Sequence, residues 1–510
     1  MLQNLFGWCL LTLLFWNFSP HLALAKTPSI NQSQSIKPYL EQVKNNITEF
    51  TLDNNIKFIV LENKNAPIIS FVTYVDVGGA NEPDGKTGVA HFLEHLAFKG
   101  TKKIGTNNYQ EEKIILDKLD KVFEEIKEAK KENNQEKLAE LDSQFRELNA
   151  QASKFVNQNE LGKIIELEGG VGLNAATSAD ATVYFYNFPS NKLELWMYLE
   201  SDRFLNPVFR EFYTEKQVIL EERKLRTDNS PVGKMVEAFL NTAFTQHPYK
   251  RPVIGYQTDI ENLTREDVQN FFHSYYGGSN ITIAIVGDVN PKEVKLMAQK
   301  YFGSFPTTSK PANLNITEPK QNQTKEITVE YPSQPIYLEG YHIPDGNHPD
   351  YVVYDMIGSI LSDGRTSRLY KSLVEEKQIA LTAEGFTGFP GDKYPNLMLF
   401  YAMSTPNSTA KELETALHSE IEKLKTQPVT KDELERVKTQ AKTGLLRGVN
   451  SNAGMARLLA EYQGKTGDWR NLFTRLDAIS AVTADDIQRV AKETFTSENK
   501  TIGRLKTIKN

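Results

Sequence analysis

Residues 88–101 read GVAHFLEHLAFKGT, with His91, Glu94 and His95 at the centre. Helical patterning begins near Thr87 and carries this segment. On a helix, positions i, i+3 and i+4 share a face, so the three side chains project together. Two imidazoles at i and i+4 can grip one zinc ion from the same side. A carboxylate just before the second histidine sits beside the metal without binding it. There it can accept a proton from water that the metal acidifies. With 8 histidines in 510 residues, chance produces this pattern on the order of 0.01 times per chain.

A third ligand should come from another helix and leave the fourth position for water. Glu215 and Glu222 are seven positions apart, two turns of one predicted helix, and face the same way. Glu221 is the nearby competitor, but it does not share the face of Glu215. Spacing alone does not rank the three.

Working outward, alternating apolar residues place strands at 57–60, 68–77, 182–188 and 281–286, with a hairpin around Asp53-Asn54-Asn55. Helices are predicted over about 192–204 and from near Tyr213. Residues 108–163 are rich in Glu, Lys, Leu and Gln and break at Asn133-Asn134. They read as a long helical hairpin whose charges form a solvated face, with partner binding as the sharper alternative. Residues 307–325 are rich in Pro, Thr, Asn and Lys, which marks a domain boundary. Beyond it the order of elements echoes the first half: strand 336–341, helix 351–361, strand 396–403, helix 410–424, then another from Lys431. The second copy lacks the two-histidine motif, and Asp355-Met356-Ile357-Gly358 stands at the matching helix. The expectation is an α+β chain made by duplication, with halves at 45–320 and 321–510.

Length alone favours two or more domains. A net charge of -6 argues against a nucleic-acid-binding surface. Residues 5–18, LFGWCLLTLLFWNF, precede Ala23-Leu24-Ala25, the pattern of a cleaved export signal over residues 1–25. The protein is therefore expected to be exported, to a periplasm, with no stable membrane span after cleavage. An uncleaved membrane anchor is the alternative, although the apolar run is short for a full span. Cys9, the single cysteine, lies in this segment, so the cleaved chain would have no disulfide and no thiol chemistry. Residues 26–44 are polar and read as a linker.

The 88–101 segment closely resembles the signature of the pitrilysin/insulinase (inverzincin) zinc peptidases, in which H-x-x-E-H reverses the order of H-E-x-x-H. The branch it most resembles includes mitochondrial processing peptidase and its bacterial relatives. Further matches are GVGLNAATSADATVY at 170–184, LESDR at 199–203, EKQVILEE at 215–222, HPY at 247–249 and SDGRTSRLY at 362–370. The resemblance covers nearly everything from about residue 45 onward.

It implies His91, His95 and Glu222 as zinc ligands, Glu94 as general base, and Glu215 as the carboxylate that orients the site. It implies two homologous α/β-sandwich domains in tandem, each a mixed, mostly antiparallel sheet packed with helices, and two such units enclosing a chamber. The implied activity is metalloendopeptidase action on peptides or extended polypeptide segments, with substrate adding to an edge strand. Asn174 and Ala175 match the family's substrate-contacting segment; plain sheet structure is the alternative for them. A catalytically silent structural or peptide-binding subunit is the alternative for the chain.

Two departures stand out. The helical segment 108–163 lengthens the interval between His95 and Glu222. The family's Arg and Tyr pair, which binds substrate and stabilises the oxyanion, is replaced by Val374 and Leu381. In two-subunit relatives the metal lies on one chain and that pair on the other. The implied partner is therefore a homologous metal-free subunit supplying an Arg/Tyr pair, or a second copy in a homodimer.

Overall fold

The computed structural model describes residues 37–508, so the expected export signal and the linker up to residue 36 lie outside the described residues. Residues 37–44, expected as the end of that linker, instead belong to a helix, Lys37–Asn45. Its lone large aliphatic anchor, Leu40, is buried with Trp469 and Leu472, which is what orders an otherwise polar stretch. Among the described residues, no helix is long and apolar enough to cross a membrane.

Two sheets organise the chain. The first contains β1 (Ile47–Thr51), β2 (Lys57–Glu62), β3 (Ile68–Val75), β4 (Val171–Thr177), β5 (Thr182–Pro189) and β6 (Ile281–Gly287), in the order β1-β2-β6-β3-β5-β4. The second contains β7 (Lys325–Tyr331), β8 (Ile336–Ile343), β9 (Ala380–Phe389), β10 (Asn396–Ser404) and β11 (Lys500–Thr507), in the order β7-β11-β8-β10-β9. Each sheet has one parallel pair, β2 with β6 and β7 with β11, and is otherwise antiparallel. The fold is α+β, with two mixed, mostly antiparallel sheets packed by helices, as the sequence leads one to expect.

The first sheet is buried on both faces. Phe58 and Val60 of β2 join one apolar cluster, while Ile59 and Leu61 join another. Double burial makes β2 a continuous apolar run rather than an alternating one. On the first face the Phe71 ring stacks on Trp196 at 4.3 Å between centroids. On the other face Val72 and Tyr74 meet Met455, Ala456 and Leu459 of the Asn452–Thr466 helix, which belongs to the second half of the sequence. The exchange is mutual. The Pro231–Ala243 helix, from the first half, puts Met235 and Phe239 against Leu338, Leu399 and Leu505 of the second sheet.

Both crossings depend on missing side chains. A Cβ on Gly464 would lie 2.1 Å from the Tyr74 ring, and one on Gly503 would lie 2.1 Å from the Met235 methyl carbon. Close approach of helix to sheet requires glycine at these positions.

The helical insertion is built into the first core. Helices Tyr109–Lys131 and Gln135–Ser153 pack as a pair that turns at Asn133, which takes a left-handed φ of 53°. Asn108 and Asn134 cap their starts by accepting N–H bonds from Glu111 and Lys137. Leu116, Leu119, Val122 and Ile126 on one helix and Leu141 and Leu148 on the other are buried in the main cluster. Arg210 and Glu112, both fully buried, pair at 2.9 Å and pin the insertion's first helix. Burial of one apolar stripe with charges left outside is the ordinary amphipathic solution.

Candidate metal centre

The motif helix, Val89–Leu96, begins at Gly88, whose φ of 88° is left-handed and favours glycine. No side chain from its own cap position closes its start. Instead the two carboxylate oxygens of Glu82 accept N–H bonds from Gly88 and Ala90, each at 2.9 Å. A carboxylate at a helix N-terminus satisfies orphan donors and opposes the positive end of the helix dipole. Burial pushes Glu82 up to about 8, against the pull of those two bonds and of Arg251.

The second helix of the site is Phe212–Arg223, which carries both glutamates. It is held to the motif helix by the stacked rings of Phe92 and Phe212, 4.6 Å apart. His95 Nε2 lies 3.6 Å from Glu222 Oε2, and His91 Nε2 lies 3.9 Å from the same oxygen. The ligand atoms of His91, His95 and Glu222 all fall within 4.8 Å of one another. Tetrahedral zinc with bonds near 2.1 Å needs donor atoms about 3.4 Å apart. Two imidazoles and a carboxylate at these separations therefore fit zinc, with one position left open for water.

The candidate donors are supported by their neighbours. Glu215 Oε1 meets His95 Nδ1 at 2.8 Å, and Glu215 Oε2 meets Lys99 Nζ at 2.6 Å. Burial works against the charge of Glu215, yet the bonds from His95 and Lys99 hold it down at about 2. The other oxygen of Glu222 meets Arg226 Nη1 at 2.7 Å, which leaves Oε2 facing the histidines. Burial, then the neighbouring His95 and Arg226, keep His91 well below the usual imidazole range, in the neutral form that binds metal. For His95, burial opposes the charged form, but the bond to Glu215 and the nearby carboxylates raise it.

Glu94 lies beside the three donors, mostly buried, and accepts a 2.7 Å bond from Thr177 Oγ1. Burial raises it above the usual carboxylate range, with the Thr177 bond and His95 pulling the other way. A carboxyl raised in this way is a better base than an exposed one. Thr177 ends β4, and β4 is one of the two edge strands of the first sheet. Asn174 and Ala175 lie on that strand, paired with β5 on one side and free of any strand on the other. A cavity of about 390 Å³ adjoins Glu94 and His95 and is walled by Phe98, Lys99, Glu211, Glu215 and residues 156–160.

The structure thus brings together His91, Glu94, His95, Glu215 and Glu222 and places Asn174 and Ala175 on the strand beside them. Glu221 points away, exposed and paired with Lys224. Four supporting residues were not singled out from the sequence: Glu82, Lys99, Thr177 and Arg226. Lys99 was findable only as a cation four positions after His95 in the quoted 88–101 segment, since it lies beyond the end of the motif helix. The other matching positions, Val374 and Leu381, offer no polar side-chain atom; Val374 packs against the second core and Leu381 is 53% exposed on β9.

The family model described as Insulinase (Peptidase family M16) matches residues 57–115 and 143–257, and that described as Peptidase M16 inactive domain matches residues 262–441. The chain belongs to the insulinase family of zinc peptidases, M16. The unmatched stretch between the two parts of the first match lies within the helical pair of the insertion. Zinc protease PqqE of Helicobacter pylori is 32% identical over 472 residues, covering 89% of this chain and 92% of that protein. A probable mitochondrial-processing peptidase subunit beta of Arabidopsis thaliana is 25% identical, covering 87% and 75% respectively. The crystal structure of a protease from Helicobacter pylori superposes with a TM-score of 0.76 at 29% identity, covering 90% of this chain and 99% of that one.

Proposed function

We propose that this chain is a zinc-dependent metalloendopeptidase that hydrolyses peptides or extended polypeptide segments, with His91, His95 and Glu222 holding the metal. The convergence of those three donors within 4.8 Å, with Glu94 alongside, carries the reading. Zinc at such a site supplies a Lewis acid that acidifies water and polarises a carbonyl. Glu94 accepts the proton of the attacking water and then delivers it to the nitrogen of the leaving amine. Thr177 orients Glu94 for both transfers, and Glu215 fixes the ring of His95 so that Nε2 faces Glu222. The free edge of β4 accepts an extended substrate as an added strand, with Asn174 and Ala175 in contact with it.

The catalytic work falls to residues 45–320, and residues 321–510 form its non-catalytic counterpart. Val374 and Leu381 support a two-chain active form, in which a homologous metal-free subunit supplies the Arg/Tyr pair; a homodimer, which would lack that pair, is the alternative assembly. Export to a periplasm, through residues 1–25, completes the reading, and retention of that segment as an anchor is its alternative.

Glu94→Gln tests the mechanism. The variant should keep one zinc per chain and lose hydrolysis of unstructured peptides. Hydrolysis that survives the substitution would overturn the role of Glu94. A native chain that purifies without zinc and cuts nothing would establish the silent-subunit alternative. Full turnover by the isolated chain would overturn the need for a metal-free partner subunit.

A further inference from the structure

Thr177 holds Glu94 from the last position of β4, and the connection from β4 to β5 then passes through Asp180, whose side chain is buried. The Asp180 carboxylate reaches out of the first half. Its Oδ2 accepts the backbone N–H groups of Asp392 at 2.9 Å and Lys393 at 3.1 Å, in the loop that joins β9 to β10 of the second sheet. Its Oδ1 accepts the hydroxyl of Tyr249 at 2.6 Å, and the same hydroxyl oxygen accepts the Tyr394 N–H at 3.2 Å. The loop fits the carboxylate closely. A Cβ on Gly391 would lie 2.3 Å from Asp180 Oδ2 and 2.8 Å from the Tyr249 hydroxyl oxygen.

Charged side chains close around this junction. Lys393 Nζ meets Asp76 Oδ1 at 2.5 Å, just past the end of β3. Lys465 Nζ, from the Asn452–Thr466 helix, meets Asp392 Oδ1 at 2.9 Å. Asp180 itself is met by N–H and O–H donors, and a buried carboxylate without such donors is costly. On the near side the connection is stiff. Ser178 Oγ accepts the N–H groups of Asp180 at 3.2 Å and Ala181 at 3.0 Å. The N–H groups of Gly79 and Ala80 donate to the carbonyls of Ser178 and Ala179 at 3.0 and 2.8 Å. A displacement at Asp180 is therefore passed along to Thr177 rather than absorbed in a loose loop.

We infer that Asp180 is a positioning residue for the general base, through which the 390–395 loop of the second half sets where Thr177 holds Glu94. The inference rests on the peptidase reading. The half that carries no metal donors thereby takes part in the reaction within its own chain, by fixing a strand end rather than by touching substrate. A base displaced by a fraction of an ångström loses rate before it loses binding.

Native protein, with any subunit that copurifies, is assayed on an unstructured peptide at a temperature where the variants are folded by circular dichroism. Asp180→Asn puts an amide where N–H donors need an acceptor, and Gly391→Ala disturbs the same contact from the second half. Each should lower kcat about tenfold or more, with KM within about twofold of wild type and zinc content unchanged. Thr177→Val should lower kcat by itself, and in that background neither substitution should lower it further. Tyr249→Phe, which only removes a hydroxyl, should give a smaller loss of the same kind, and it replaces either variant that does not fold. Unchanged kcat in the folded variants, or losses that multiply with that of Thr177→Val, overturns the inference, while cleavage by the wild type leaves the peptidase reading standing. A native preparation that cleaves no peptide overturns that reading, and the inference with it.

Discussion

His95 Nδ1 and Glu215 Oε1 lie 2.8 Å apart, whereas the Nδ1 of His91 is buried with no hydrogen-bond partner among the described residues. Of the two histidines, only His95 is oriented by a carboxylate. That carboxylate is itself held by Lys99, four positions further along the chain. Glu215→Gln keeps an acceptor oxygen but removes the charge that both His95 and Lys99 face. Zinc affinity should fall about 10- to 100-fold, as measured by chelator competition, with the far-ultraviolet spectrum unchanged. Unaltered affinity would rule out the orienting role.

The Asn452–Thr466 helix rests on the first sheet only because Gly464 leaves room for the Tyr74 ring. Gly464→Ala puts a methyl where the ring is fully packed. Overpacking of this kind should cost about 1–3 kcal/mol, read from denaturant unfolding. The helix comes from the second half, so the loss should appear in the unfolding of both sheets at once. A variant with wild-type stability would mean that helix and sheet are not in close contact.

His247 supplies the pH-dependent element. Burial is the main cause that brings its imidazole down to about 4, and its Nδ1 accepts the N–H of Tyr249, a bond that protonation would abolish. An unfolded histidine titrates near 6.5. A base whose folded value is depressed contributes stability that is present above the unfolded value. That stability drains away as pH falls toward the folded one. Between about pH 6.5 and 4, the wild type should lose melting temperature faster than His247→Asn, whose amide oxygen can still accept the Tyr249 N–H. Parallel pH profiles for the two proteins would contradict the assignment.

Local periodicity was enough for most of the elements and for the core of the site. His91, Glu94 and His95 converge because three and four residues make one turn, and that much is written in five consecutive letters. Glu222 could be separated from Glu221 only by resemblance, because phase on one helix does not say what that helix faces. The exchange of the Pro231–Ala243 and Asn452–Thr466 helices had no comparable signal. An apolar stripe shows that a helix is covered, not which sheet covers it. Thr177 and Glu82 act on the site from a strand end and a loop, where contact is set by the tertiary fold rather than by spacing. Residues 37–44 read as linker because one buried leucine in a largely polar stretch leaves no pattern to read.

The helix exchange also constrains how the chain can be made. Ile59, Leu61, Val72 and Tyr74 of the first sheet find their cover in Met455, Ala456 and Leu459, nearly four hundred residues later. A ribosome delivering the chain from its N-terminus therefore presents the half that carries the two-histidine motif with one apolar sheet face bare until the Asn452–Thr466 helix has emerged. That half cannot reach its final form as an independent product of translation. It needs shelter while it waits, from a chaperone or from delayed folding after release.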